Sequence, residues 1–278
     1  MIEEFFKENG AEIEGVFFKD YKLQVDALMN GEIDGAWNSP LAHLDAHLRS
    51  DGKDKIGCMR DTDRDKKTYL VVKKGNFEKV SDLKGKTIGF GAIDSPQARL
   101  IPINYLHQNG LEYGKDYTEK RFDIGVGLHG DHVGGEKDSM IAMVNGEVDA
   151  SFCLSTNYDA WISDGTLDKN EVEVLGKTDN FDHCIFTFNP EVSDEDIKVF
   201  DDIMFKMDYN NEKEKEIMDL EGLKQWIPGR REGFKQITEA NEYLGNFLKE
   251  FNSEPVSYTH LTLPTTLHEC RSRWSPYH

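Results

Sequence analysis

The sequence lacks any run of about 18 apolar residues, so no helix of it is built to span a membrane. It lacks a Cys-x-x-Cys pair as well. Its four cysteines, Cys58, Cys153, Cys184 and Cys270, show no disulfide or metal-site spacing and are expected as buried, unreactive thiols. Positive charge is scarce: 33 basic residues stand against 52 acidic ones, for a formal charge of −19. A surface of that sign repels a phosphate backbone and excludes nucleic acid as the expected partner. It does not exclude a small anion, because helix ends and backbone donors in a cleft outweigh a distant, salt-screened field. No charged-then-apolar leader opens the chain; Met1 runs directly into a helix stopped at Asn9-Gly10, so the true start and its export signal are expected upstream.

What is present is an acidic chain of 278 residues, 38% hydrophobic, long enough for two lobes of ordinary size. Its most informative feature is an internal echo. Ala27-Leu28-Met29-Asn30-Gly31-Glu32-Ile33-Asp34 matches Ala142-Met143-Val144-Asn145-Gly146-Glu147-Val148-Asp149, with five identities at equal spacing. In each copy apolar residues recur at helical spacing, Asn-Gly stops the helix, and a short buried strand follows. Two similar α/β lobes are the expectation.

Between and after the echoes, strand and helix patterns alternate, which predicts parallel sheets. Strands are expected over Ile13 to Phe18, Ile33 to Trp37, Lys55 to Arg60, Thr68 to Lys73, Thr87 to Phe90, Arg121 to Gly127, Val148 to Leu154 and Cys184 to Asn189. Helices are expected over Pro40 to Arg49 and Pro96 to Asn109, with acidic, Lys-rich helical stretches from Asp194 to Phe251. The tail from Pro255 to His278 breaks with this pattern. Its Pro-Val-Ser-Tyr-Thr-His-Leu-Thr-Leu-Pro run looks like a translated transposon-end sequencing adapter, so it is set aside and expected to pack against nothing.

Several stretches together resemble one family. Asp20-Tyr21, Gly31-Glu32-Ile33-Asp34, Ala36-Trp37 and Ser39-Pro40 form a first-lobe pattern, and Asp82-Leu83-Lys84-Gly85-Lys86-Thr87-Ile88-Gly89-Phe90 is similar to an entry into a second lobe. Asp94-Ser95-Pro96-Gln97-Ala98, then Pro102, falls where the family carries a Ser-rich, anion-holding loop. The family is the phosphate/phosphite/phosphonate substrate-binding component of ABC importers. The resemblance implies an α/β, two-lobed periplasmic-binding-protein-like (type II) fold, each lobe a mostly parallel sheet flanked by helices, joined by two hinge crossovers. The first lobe is expected to comprise 1–73 plus 187–254, and the second 74–186.

In such lobes ligands sit beyond the carboxyl ends of parallel strands. Three loops qualify. Asn38-Ser39-Pro40 and Asp94-Ser95-Pro96-Gln97-Ala98 each offer a Ser N-cap with Pro at the first helical position, plus amides that could face an anion. Capping alone also explains a Ser-Pro turn. Leu128-His129-Gly130-Asp131-His132-Val133-Gly134-Gly135-Glu136 supplies flexible glycines and two histidines, near where the family places one. The expected ligand-binding set is Tyr21, Trp37, Ser39, Asp94, Ser95, Gln97, Ala98, His129 and His132, with Tyr21 and Trp37 as either core rings or cleft walls. A metal on His129, Asp131, His132 and Glu136 is set aside for want of a defensible ligand spacing; no metal and no cofactor are expected.

The resemblance implies a carrier of a small oxyanion in the interlobe cleft, monomeric, periplasmic or membrane-anchored outside the cell, that meets the membrane through a permease or a lipid anchor. Two other classes use the same shape. A thiamine-pyrimidine synthase-like enzyme would want a Cys-rich iron motif or a nucleophile–base pair, and neither is evident. The effector-sensing domain of a regulator would want a basic DNA-binding segment.

Overall fold

The computed structural model describes residues 1–130, 134–253 and the backbone of 272–275, and in it the two echo segments take the same local structure. The helix Tyr21–Met29 ends where Gly31 turns left-handed (φ 72°), with Gly31 N donating to Leu28 O (3.2 Å) and Glu32 N to Ala27 O (2.9 Å). The helix Gly134–Asn145 ends in the same way: Gly146 has φ 79°, its amide reaches Met143 O (3.0 Å), and Glu147 N reaches Ala142 O (2.8 Å). Both are Schellman caps, which satisfy the last orphan carbonyls of a helix and need a residue tolerant of positive φ. Each turn then feeds a strand, Gly35–Asn38 or Ala150–Leu154, and these lie in different sheets.

The chain divides into two compact units. The first holds Met1–Arg64, Cys184–Arg231 and the described residues from Leu244 on; the second holds Asp65–His183 and Glu232–Tyr243. The chain therefore passes between the units at four points. The helix Lys235–Tyr243 explains the extra pair: it buries Ile237 and Ala240, and Tyr243 stacks on His107 at 4.0 Å and donates to Glu112 Oε2 at 2.9 Å, all within the second unit. The sequence shows this helix to be amphipathic but not which body its apolar face covers.

Sheet direction departs from expectation. In the first unit the pairs are antiparallel: the strand Ile185–Phe188 lies between Gly35–Asn38 and Lys55–Ile56, and Trp226–Pro228 pairs with Cys58–Arg60. The expected single strand from Lys55 to Arg60 is broken at Gly57, where the Phe188 ring lies so close that a Cβ would meet it at 2.6 Å. In the second unit the five-stranded sheet is mixed. Thr118–Arg121, Thr87–Phe90 and Ala150–Leu154 run parallel side by side, while Thr68–Lys73 joins antiparallel, followed by Val172–Lys177. Thr68–Lys73 and Ile185–Phe188 are inner members of their sheets, and their direction makes the neighbouring pairs antiparallel.

One strand is displaced from its expected place. Thr118–Arg121 is the strand, and Arg121 to Gly127 leaves it as a loop, because Gly125 and Gly127 hold φ of 70° and 93°, outside any strand geometry. In the tail, Ser272–Ser275 pairs antiparallel with Glu12–Gly15, so the expectation that it packs against nothing fails at those four residues. An unpaired strand edge accepts any extended segment that reaches it. The rest of the tail, Cys270 included, lies outside the described residues.

An aromatic cluster fills the first unit: Phe6, Phe186 and Phe188 surround Phe200 at centroid distances of 4.8–5.3 Å. Fully burying such side chains contributes about 1.5–3 kcal/mol each. In the second unit Phe90 stacks on Phe152 at 5.5 Å across the two parallel strands, and Met140, Met143 and Val148 cover the other face. Cys58, Cys153 and Cys184 are buried and in no disulfide among the described residues, and burial pushes the Cys58 and Cys153 thiols well above their usual range. Among the described residues no helix is long and apolar enough to cross a membrane.

Candidate functional site

Three loops of the second unit leave the carboxyl ends of its three neighbouring parallel strands, and the expected anion loop is the middle one. After Thr87–Phe90, Ser95 caps the following helix: its Oγ accepts from Ala98 N at 3.1 Å, with Pro96 at the first helical position. The helix opens as a π turn over Pro96–Leu100, in which Ser95 O accepts from both Arg99 N and Leu100 N, and continues as an α-helix over Ile101–Gln108. Single π turns inside helices recur at functional sites. Ala98 N, expected to face a ligand, is spent on Ser95. The Ser95 hydroxyl keeps its own proton to donate.

The second loop folds over the first. Gly125, Gly127 and Gly130 all have positive φ, and so does His129 at 48°. A left-handed conformation costs a non-glycine residue roughly 1–2 kcal/mol, and such strain is a pointer to function. Gly130 lies directly on Ser95: a Cβ there would overlap Ser95 Oγ and stand 2.6 Å from Gln97 Nε2. Gln97 Nε2 donates to Gly130 O at 2.7 Å, its Oε1 lies 3.4 Å from His183 Nε2, and its carbonyl accepts from Thr68 Oγ1 at 2.7 Å. Ser95, Gln97 and His129 are accordingly buried.

Asp94 ties the two loops. Its Oδ2 accepts from Gly127 N (2.6 Å) and His129 N (3.3 Å), and the His129 ring stands 4.0 Å away. Among the described residues its Oδ1 is buried without a partner. Burial pushes this carboxyl up to about 6, with the donated backbone amides holding it down and Asp123 adding to the rise. Leaving a buried oxygen of this kind unpaired costs about 1–3 kcal/mol.

The third loop follows Ala150–Leu154. Glu136, the third residue of the helix Gly134–Asn145, accepts from Leu154 N and Asn157 Nδ2 through Oε2, both at 2.9 Å, while Oε1 has no partner among the described residues. Burial raises its pKa, with those two donors and the Gln97 side chain opposing the shift. Sequence reading weighs Glu136 only as a metal ligand, and does not single out Thr68 or His183, which bond to Gln97 here. A Gly-Gly pair at the start of a helix, followed at once by a carboxylate, is the available signal for Glu136.

In the first unit Ser39 repeats the Ser95 geometry. Its Oγ accepts from Ala42 N at 3.2 Å with Pro40 at the helix start, and Asn38 beside it is buried and bonded to Gln24. Tyr21 is 2% exposed within the cluster of Val25, Leu28 and Ile33. Trp37 is half-buried against Phe186 (4.9 Å) and Trp226 (5.6 Å), with the Arg60 guanidinium over its ring. Packing accounts for both rings. His132 and Asp131 lie outside the described residues. A cavity of about 610 Å³ in this unit, lined by Asn30, Asp34, Arg49 and Asn189 among others, contains none of the expected ligand residues.

Comparison with known proteins gives one consistent picture. A family model described as ABC transporter, phosphonate, periplasmic substrate-binding protein matches residues 1–234. The phosphate-import protein PhnD of Mycolicibacterium smegmatis is 25% identical over 204 residues, covering 70% of this chain and 62% of the relative's length, less than two thirds of it. A probable ABC transporter phosphite binding protein of Prochlorococcus marinus is 25% identical over 264 residues, 87% of this chain and 82% of the relative. Among solved structures, PhnD1 of Prochlorococcus marinus in complex with methylphosphonate shares the fold at a TM-score of 0.65 and 18% identity, over 88% of this chain and 91% of that one.

Proposed function

Because the chain belongs to the family of periplasmic substrate-binding proteins of phosphonate ABC transporters, we propose that it carries a small phosphorus oxyanion of the phosphonate, phosphate or phosphite class to a membrane permease. The family is a transporter's binding component, so the protein is a carrier and not an enzyme. The relatives' named ligands, phosphate, phosphite and methylphosphonate, are all tetrahedral anions. On this reading the protein works as a monomer outside the cytoplasmic membrane.

The observation that carries the proposal is the meeting of three loops at the carboxyl ends of three parallel strands in the second unit. That is where open α/β sheets hold ligands. Ser95 would donate its hydroxyl proton to the anion, with Gln97 and His129 as further donors, and Ser39 would play the Ser95 part in the first unit. Because Gly130 covers Ser95, the glycine-rich loop has to shift for the hydroxyl to reach a ligand.

Hydrogen bonds to a charged group contribute about 1.5–3 kcal/mol each. Ser95→Ala is therefore expected to weaken phosphate or methylphosphonate binding roughly tenfold to a hundredfold, and to cost the helix about 1 kcal/mol of capping. Calorimetric titration beside a melting curve separates the two. A lowered Tm with unchanged affinity would reduce Ser95 to a cap.

A further inference from the structure

We infer that Lys66 supplies the positive charge that holds the bound anion: its ammonium, on the same side of the chain as Thr68, meets the oxyanion beside Ser95 and Gln97. The inference rests on the carrier reading above and adds the counter-charge that the three loops do not provide.

The loops bring neutral donors and buried carboxyls together. Asp94 and Glu136 both lie buried among them, and an anion entering there adds its negative charge to theirs. Hydroxyl and amide donors ease the burial of an anion but carry no net charge, and a buried charge needs an opposite one close by. The basic residues of the first two loops and their strands are already committed. Arg99 is bonded to Glu119 at 2.6 Å and to Ile93 O at 3.0 Å, Arg121 to Asp123 at 3.1 Å, and Lys120 to Glu147 at 2.9 Å. Lys137 follows Glu136 on its helix, but its charge acts on Asp164, just past the helix Ser155–Ser163.

Lys66 stands apart from these. It is half-buried, and among the described residues its Nζ makes no hydrogen bond and no ion pair. Its backbone is fixed on both sides. Lys66 N donates to Phe181 O at 2.7 Å, Lys66 O accepts from Phe181 N at 2.9 Å, and Lys67 O accepts from Ser155 N at 2.9 Å. Two residues on, Thr68 opens the strand Thr68–Lys73 and donates through Oγ1 to Gln97 O at 2.7 Å.

In an extended chain alternate side chains leave on the same side. Lys66 and Thr68 therefore share the face that carries the Ser95–Gln97 turn, and Lys67 takes the opposite one. Glu136 agrees with this placement. It accepts from Leu154 N, next to Ser155; burial raises its pKa, and the Lys66 charge is among the groups that oppose the rise. A flexible four-carbon stem with three donors at its tip lets one ammonium turn from Glu136 to an anion at the Ser95 hydroxyl.

The test is calorimetric titration of the full chain with inorganic phosphate, phosphite and methylphosphonate at pH 7.5. The wild type is compared with Lys66→Gln, Lys67→Gln, Glu136→Gln and the double variant Lys66→Gln/Glu136→Gln. Lys66→Gln should weaken the best-bound anion roughly tenfold to a hundredfold, the size of one hydrogen bond between charged groups. Lys67→Gln should stay within about threefold of the wild type, as for a charge at the surface. A lysine that merely balanced Glu136 would cease to matter once Glu136 is neutral. Lys66→Gln should instead weaken binding about tenfold or more in the Glu136→Gln background too. Melting curves confirm that each variant is folded. Unchanged affinity in Lys66→Gln would overturn the inference, as would a loss that disappears in the Glu136→Gln background or that Lys67→Gln reproduces. Failure of all three anions to bind the wild type would overturn the carrier reading itself, and this inference with it.

Discussion

His43 carries the clearest pH signature at the scale of single residues. It lies 3% exposed in the first unit, with Nδ1 3.0 Å from Thr187 Oγ1 and 3.8 Å from the buried Asp54 carboxylate. Burial lowers its pKa to about 4, with Asp54 opposing the shift and Arg231 and His47 adding to it. The imidazole is therefore neutral in the folded state at pH 5, where an unfolded histidine is already charged. Stability from this group is full above about 6.5 and is lost as the pH falls toward 4, by about 3 kcal/mol in all. Urea unfolding at pH 7 and pH 4.5 should show a loss in the wild type that His43→Gln largely escapes; equal losses would contradict the assignment. Nothing in the sequence marks His43, because burial and partners arrive only with the fold. Ser95 and Ser39 were legible, since Ser-Pro after an apolar run announces a strand end and a helix start together. The half-used state of Asp94 was not, since it depends on where Gly127 and His129 place their amides.

At the scale of elements, the echo is the best-read feature. Five shared identities foretold two helix–turn–strand pieces, and the backbone bonds of the two caps agree to within 0.2 Å. Because Gly31 and Gly146 have open space or only a lysine tip where a Cβ would go, alanine at either meets conformational cost alone. Each substitution should destabilise the protein by roughly 1–2 kcal/mol. Chemical denaturation of the two variants should give similar losses, and a neutral result at one of them would break the equivalence. The misplaced strand shows the limit of local pattern. Arg121 to Gly127 alternates apolar and polar residues, but positive φ at two glycines turns it into the loop that covers Ser95. Strand direction was misread for a related reason: alternation of strand and helix says nothing of a chain that crosses between units and returns.

For the whole molecule, the formal charge of −19 and the expected anionic ligand meet only if local donors outweigh the distant field. The family resemblance, readable from the order of the motifs alone, carried the functional reading furthest; the assignment of Lys235–Tyr243 to the second unit needed three dimensions. The central claim is that this protein binds a phosphorus oxyanion reversibly and leaves it unchanged. The most direct measurement is calorimetric titration of the full chain with phosphate, phosphite and methylphosphonate, with phosphorus NMR of the ligand recovered afterwards. The account predicts saturable one-to-one binding of at least one of the three and an unaltered spectrum. Absence of binding by all three, or a ligand returned chemically changed, would contradict it.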